Sequence, residues 1–161
     1  MFVFIFSDTP PDDDRAIAGT HPLSVYDWIF LDGAINETHE WPYAPQGTPM
    51  SATPSQRPRL AKGTWVGLSN LLLIKDLTTS KTVVEFLHDT MSGLPAGSEA
   101  HVIVTGHSLG GALSPVMALY LHDNYKMWGS VAAPATVYCY ALAGPTIGNA
   151  AMAEYPLRMA G

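Results

Sequence analysis

Between a β-type run and a helical run stands Gly106-His107-Ser108-Leu109-Gly110, and no other five residues constrain the chain as much. His101-Val102-Ile103-Val104-Thr105 ahead of it has the apolar, β-branched pattern of a buried strand. Leu113, Val116, Met117, Tyr120 and Leu121 behind it recur at helical spacing. A strand that becomes a helix within so few residues needs small side chains flanking the turn, because bulk two positions from its apex would clash. Gly106 and Gly110 meet that need, and Gly111-Ala112 allow the helix to pack close to the sheet. The apex residue, Ser108, then projects above the strand end at a helix N-terminus, where unpaired N–H groups and the helix dipole favour negative charge. A serine so placed is a candidate nucleophile, with the Leu109 N–H as the first oxyanion donor.

The bare G-x-S-x-G pattern is weak alone, and the strand before it and the helix after it supply the confirming context. His107 is adjacent to Ser108, and a side chain next in sequence at a sharp turn points away from the hydroxyl. It is therefore read as part of the turn and not as the general base.

The remaining chain surrounds this unit with alternating strands and helices. Met1 to Phe6 reads as a buried strand that enters a loop at Ser7-Asp8-Thr9-Pro10-Pro11, and is too short and uncharged to be a secretory signal. Pro22 to Leu31 suits a short helix that is apolar over most of its surface. Residues 36–58 hold Pro42, Pro45, Pro49, Pro54 and Pro58 with few aliphatics, which predicts an irregular loop. Trp65, Leu68, Leu71 and Leu72, then Val83, Val84, Phe86 and Leu87, have helical spacing, interrupted near Thr78-Thr79-Ser80. A third strand over Thr136 to Ala141 and a short helix from Asn149 to Tyr155 follow. Interior Pro115 predicts a kink in the helix after the turn. The alternation predicts an α/β fold, with a mostly parallel sheet and flanking helices, in one domain without internal repeats.

A formal charge of −6 and the absence of any Lys/Arg cluster exclude nucleic acid and anionic membrane surfaces as partners. No run approaches the roughly 20 apolar residues of a transmembrane segment. The single cysteine, Cys139, excludes an internal disulfide and a cysteine-rich metal site. Flanked by Val137, Tyr138 and Tyr140, it reads as a buried structural thiol. No metal and no cofactor are expected.

Val104-Thr105-Gly106-His107-Ser108-Leu109-Gly110-Gly111-Ala112-Leu113 resembles the elbow block of the class 3 lipases, the fungal-lipase-like branch of the α/β-hydrolases. Tyr140-Ala141-Leu142-Ala143-Gly144-Pro145-Thr146-Ile147-Gly148-Asn149 resembles that family's strand followed by G-x-P-x-x-G-[N/D]. Met152 and Tyr155 stand where the family usually has an aromatic or apolar pair. The resemblance implies a partial α/β-hydrolase fold with its nucleophile elbow at 106–110, and hydrolysis of an acylglycerol or another ester through an acyl-serine intermediate.

Ile5-Phe6-Ser7-Asp8-Thr9 resembles the family's strand ending in F-R-G-[S/T], with Ser7 and Asp8 in place of Arg and Gly. The resemblance makes the Thr9 N–H the second oxyanion donor. Ser24 to Asp32 is similar to the family's lid region, which implies a lid within residues 20–35 carried by Tyr26, Trp28, Ile29 and Phe30. Such a lid would cover an acyl pocket when closed and meet a lipid interface transiently when open. The alternative places Trp28, Ile29 and Phe30 in the core. Ala61-Lys62-Gly63-Thr64 stands where the family often has H-x-G-F, so that non-triad histidine is missing.

In α/β-hydrolases the triad runs Ser, then Asp or Glu, then His along the chain. After Ser108 only Asp123, Glu154 and His122 are available. His122 falls about 20 Å from Ser108 along one helix, too far to act on it. The acid and base are therefore expected beyond Gly161, the chain is expected to be a domain truncated at both ends, and residues 1–161 alone are expected to be nearly inactive. Two other functions stay open: a hydrolase-like binding or structural module without chemistry, and an esterase of another class acting on phospholipid, feruloyl or polyester substrates.

Overall fold

Helical spacing and β-branched runs settle into eleven elements among the described residues. In chain order they are β1 (Phe2–Ser7), β2 (Ile17–Ala18), β3 (Thr38–Glu40), β4 (Arg59–Ala61), α1 (Lys62–Leu73), α2 (Val83–Ser92), β5 (Ala100–His107), α3 (Leu109–Asp123), α4 (Tyr125–Trp128), β6 (Ala135–Leu142) and α5 (Ala150–Met159). The computed structural model describes residues 2–7, 17–18, 37–44, 53 and 56–159, with side chains for 37–44, 53 and 56–156.

Four strands form one parallel sheet in the order β2-β1-β5-β6. This is the parallel α/β arrangement that the alternating pattern predicts. The register sets Phe6 beside Gly106 and Leu142 beside His107, so β1, β5 and β6 all reach the elbow end. The pleat of β5 sends Ala100, Val102 and Val104 into the core, where they are at most 5% exposed. His101, Ile103, Thr105 and His107 take the other face.

α3 is the central helix. Almost every residue from Gly110 to Leu121 is buried, as expected of a helix packed on several sides. Val116, Met117 and Leu121 meet Leu68 of α1, Leu87 and Met91 of α2, Trp128 of α4, and Met152 and Tyr155 of α5 in one core. Each buried aliphatic there contributes about 1.5 to 3 kcal/mol. α3 runs through Pro115 to Asp123 as one helix, although the ring nitrogen has no hydrogen for the Gly111 carbonyl one turn back.

The interruption near Thr78-Thr79-Ser80 separates α1 from α2. α2 starts on a capping box in which the Thr82 hydroxyl accepts from the Glu85 N–H and the Glu85 carboxylate accepts from the Thr82 N–H at 2.8 Å. Those bonds hold the Glu85 carboxyl below its ordinary range.

Two expectations change. Within residues 36–58, Thr38–Glu40 forms a strand that pairs antiparallel with β4, and Trp41 beside it is only 2% exposed. Glu40 pairs with Arg57 and Arg59, so charge pairing and one buried indole order a segment whose prolines suggest irregularity. Cys139 is not buried but exposed, because β6 is the last strand of the described sheet and lacks a neighbour on one side. Partial desolvation of its sulfur on the helix side still pushes the thiol pKa up, and the adjacent Ser114 hydroxyl pulls the other way.

Candidate active site

The elbow rests on backbone packed against backbone. At Gly106 a Cβ would overlap the Gly110 carbonyl, which is why the motif requires glycine at its first position. The first turn of α3 also lies directly on the chain leaving β6. A Cβ on Gly111 would overlap the Leu142 carbonyl, and one on Gly144 would overlap the Gly111 carbonyl. Ser108 N–H donates to Leu142 O at 3.0 Å, and Ala143 turns the chain away with φ 49°. The two glycine-bearing blocks therefore form a single contact.

Ser108 occupies the apex with φ 55° and ψ −116°. A non-glycine residue held there costs about 1 to 3 kcal/mol and persists only where the surroundings enforce it. Its side chain does not cap α3, although serine is among the preferred capping residues. The hydroxyl-bearing residue is partly exposed, as is Leu109, the first residue of the helix. The Ser108 carbonyl accepts the first helical bond from Ala112 N–H at 3.1 Å, and the N–H groups of the first helical turn have no partner within the helix.

His107 is exposed and lies on the face of β5 opposite Val104 and Gly106, in register with Leu142. Among the described residues it makes no hydrogen bond to Ser108, and it is the last residue of β5. Thr105, on the same face as His107, donates its hydroxyl to Tyr140 O at 2.8 Å, which clamps β5 to β6 just below the apex. Thr9 and the lid residues Tyr26, Trp28, Ile29 and Phe30 lie outside the described residues.

The other end of α3 carries a second group of polar side chains. Asp123 has a fully buried carboxylate that accepts from Trp41 Nε1 at 2.7 Å and Tyr155 Oη at 3.1 Å, with His122 Nδ1 at 3.1 Å. Trp41 leads on, edge-to-face, to Tyr43 and then Tyr120, whose hydroxyls are pushed up in pKa by burial. Fourteen helical steps at about 1.5 Å each separate His122 from Ser108. The His122–Asp123 pair is therefore an anchor joining α3, the residue after β3, and α5.

Asn149 ties the second glycine block to the ribbon. Its side-chain oxygen accepts from Arg59 N–H at 3.0 Å and Met152 N–H at 2.9 Å, and its amide donates to Arg57 O at 2.9 Å. Neither this staple nor the Gly111–Gly144 approach is evident from spacing alone. The only signal for either is the pair of small-residue blocks.

Among the described residues no group of three or more His, Cys, Asp or Glu could hold a metal ion. No described helix is long and apolar enough to cross a membrane.

No curated protein matches the chain. The crystal structure of M37 lipase is similar to it, with 34% identity and a TM-score of 0.65, and the match covers 85% of this chain and 38% of that one. The chain thus spans about two fifths of the length of that structure. A family model described as lipase (class 3) matches residues 49–160, which takes in both glycine blocks and the Asn149 staple. The chain belongs to the class 3 lipase family.

Proposed function

We propose that Ser108 is the nucleophile of a lipase-type ester hydrolase and that its base and acid come from outside residues 1–161. Its Oγ attacks the carbonyl carbon of an acylglycerol or related carboxylic ester and gives its proton to the base. The oxyanion that forms accepts from the Leu109 N–H, with the Thr9 N–H as the second donor. Collapse of the tetrahedral intermediate breaks the bond to the alcohol oxygen, which leaves with that proton. Water, deprotonated by the same base, then attacks the acyl-serine, releases the carboxylic acid and restores the hydroxyl.

The observation that carries this reading is the backbone of Ser108, held at positive φ on a glycine-lined turn with its hydroxyl unused in capping. Phe6 pairs with Gly106, so the chain leaving β1 emerges beside the elbow, which supports Thr9. The placement of four described histidines supports a base from elsewhere. His39 stacks on Trp65, His88 and His122 pair with their neighbouring aspartates, and His101 stacks on Tyr138 near the start of β5. With the base and acid outside residues 1–161, as proposed, those residues alone should show only residual turnover.

The same observation favours one competing reading, a binding module that keeps the elbow without chemistry. Hydrolysis of short-chain p-nitrophenyl esters, by a chain that continues with native sequence past Gly161, separates the two. Ser108→Ala should lower kcat by at least about a thousandfold. Activity that survives the substitution, or no activity in the unsubstituted chain, rejects the hydrolase reading. Comparing soluble with long-chain esters, above and below their solubility limit, then distinguishes a lipase from an esterase of another class.

A further inference from the structure

Ser108 and Ala143, with φ 55° and 49°, are both non-glycine residues held in the left-handed region. One bond links the two turns: Ser108 N–H donates at 3.0 Å to Leu142 O, the carbonyl that leads into Ala143. Strained turns persist only where their surroundings enforce them. On the α3 side the enforcement is contact, since a Cβ on Gly111 would overlap the Leu142 carbonyl. On the sheet side β6 has only β5 as a neighbour among the described strands. The place of the Leu142 carbonyl therefore depends on how β6 is held to β5.

Besides the backbone ladder, one side-chain hydrogen bond joins β5 to β6 among the described residues, from Thr105 Oγ1 to Tyr140 O at 2.8 Å. Thr105 stands opposite Tyr140 and His107 opposite Leu142, so this bond lies one pleat below the contact between Ser108 and Leu142. The half-buried Thr105 side chain leaves β5 on the face opposite Val104, and reaches the elbow only by way of β6. Valine would suit the strand as well as threonine does, whereas only a hydroxyl makes the cross-strand bond.

We infer that Thr105 is a positioning residue for the ester hydrolysis proposed above: its hydroxyl holds the end of β6 where Leu142 O seats the Ser108 N–H, and so orients the Leu109 N–H that follows. The inference rests on that proposed reaction. A donor aimed at charge that develops only in the transition state acts on kcat and leaves KM nearly untouched. Loss of the Thr105 hydroxyl should therefore appear in kcat.

Kinetics of p-nitrophenyl ester hydrolysis and amide hydrogen exchange, in a chain that continues with native sequence past Gly161, test the inference. Thr105→Val removes the hydroxyl and keeps the shape. It should lower kcat at least about tenfold with KM within about twofold, and speed exchange of the Ser108 amide about tenfold, at an unchanged melting temperature. Thr105→Ser keeps a hydroxyl and should return both quantities to within about threefold of the unsubstituted chain. Unchanged kcat and exchange in Thr105→Val, a rise in KM alone, or a Thr105→Ser chain as impaired as Thr105→Val overturns the inference. So does a Thr105→Val chain that melts early with exchange raised throughout the sheet, which would make the hydroxyl a general strut. The catalytic reading fails separately. Faster Ser108 exchange in Thr105→Val, with no Ser108-dependent turnover in the unsubstituted chain, rejects the nucleophile and keeps the seating of the elbow by Thr105. Turnover that depends on Ser108 but not on the Thr105 hydroxyl rejects the positioning role alone.

Discussion

At the N-terminal end of α3 the contacts are backbone against backbone, and at its C-terminal end they are side chain against side chain. Ser108 sits among glycines with a strained φ and a hydroxyl that caps nothing. Asp123 sits in the core with its carboxylate saturated by an indole, a phenol and an imidazole. The two ends also use polar groups in opposite ways. The group proposed to act on substrate sits at a partly exposed, strained position with its hydroxyl not used to cap the helix. A group that must hold elements together is buried and fully partnered, because each unmet partner would cost about 1 to 3 kcal/mol. A histidine next to an aspartate invites a catalytic interpretation, yet here it belongs to the anchor.

Substitutions at the two ends should therefore part company. The largest effect is expected at the elbow, where Gly111→Val drives a side chain into the Leu142 carbonyl and should cost more than about 3 kcal/mol, read as loss of soluble, cooperatively melting protein. A variant that melts like the unsubstituted chain would break the claim that α3 and β6 meet there without a gap. Next, Asp123→Ala strands the Trp41 indole N–H and removes the Tyr155 hydrogen bond, and should destabilise by about 2 to 4 kcal/mol in chemical denaturation. It should leave Ser108 reactivity per folded molecule unchanged, and a drop in reactivity would mean that the anchor is more than an anchor.

Smaller effects sharpen the contrast. Ser108→Gly relieves the positive φ and should stabilise the chain by up to about 1 kcal/mol while removing the proposed nucleophile. Stability that falls instead would show that the serine side chain supports the fold. The smallest effect is at the α2 capping box, far from this comparison, where Thr82→Ala should cost about 0.5 to 1 kcal/mol. Glu85 there is held below its ordinary 4.5, so its contribution is complete above that pH and disappears as pH falls through the folded-state value. Melts of Glu85→Gln between neutral pH and pH 3 should lack that acid-side loss, whereas Thr82→Ala, which keeps the backbone N–H of residue 82, should retain part of it.

Local order is legible in the sequence, whereas contacts between distant residues are not. Gly106, Ser108 and Gly110 belong to one five-residue motif, and the strand and helix around them have clear periods, so residue spacing alone is enough to place β5, α3 and the apex. β1, β6 and the break between α1 and α2 follow from the same patterns. The Gly111–Gly144 contact and the Asn149 staple join residues far apart in the chain, and no period encodes them. β3 and β4 are three residues each, too short for alternation to register, and prolines surround them. The exposure of Cys139 depends on strand order, which its apolar neighbours cannot report.

The most direct test of the central claim is the rate at which a fluorophosphonate labels Ser108 in a chain that continues with native sequence past Gly161. Rapid labelling that disappears in Ser108→Ala, persists in Asp123→Ala and slows sharply in residues 1–161 alone is the predicted result. Labelling that survives Ser108→Ala, or that is lost on removing Asp123 from a chain that still folds, would contradict it.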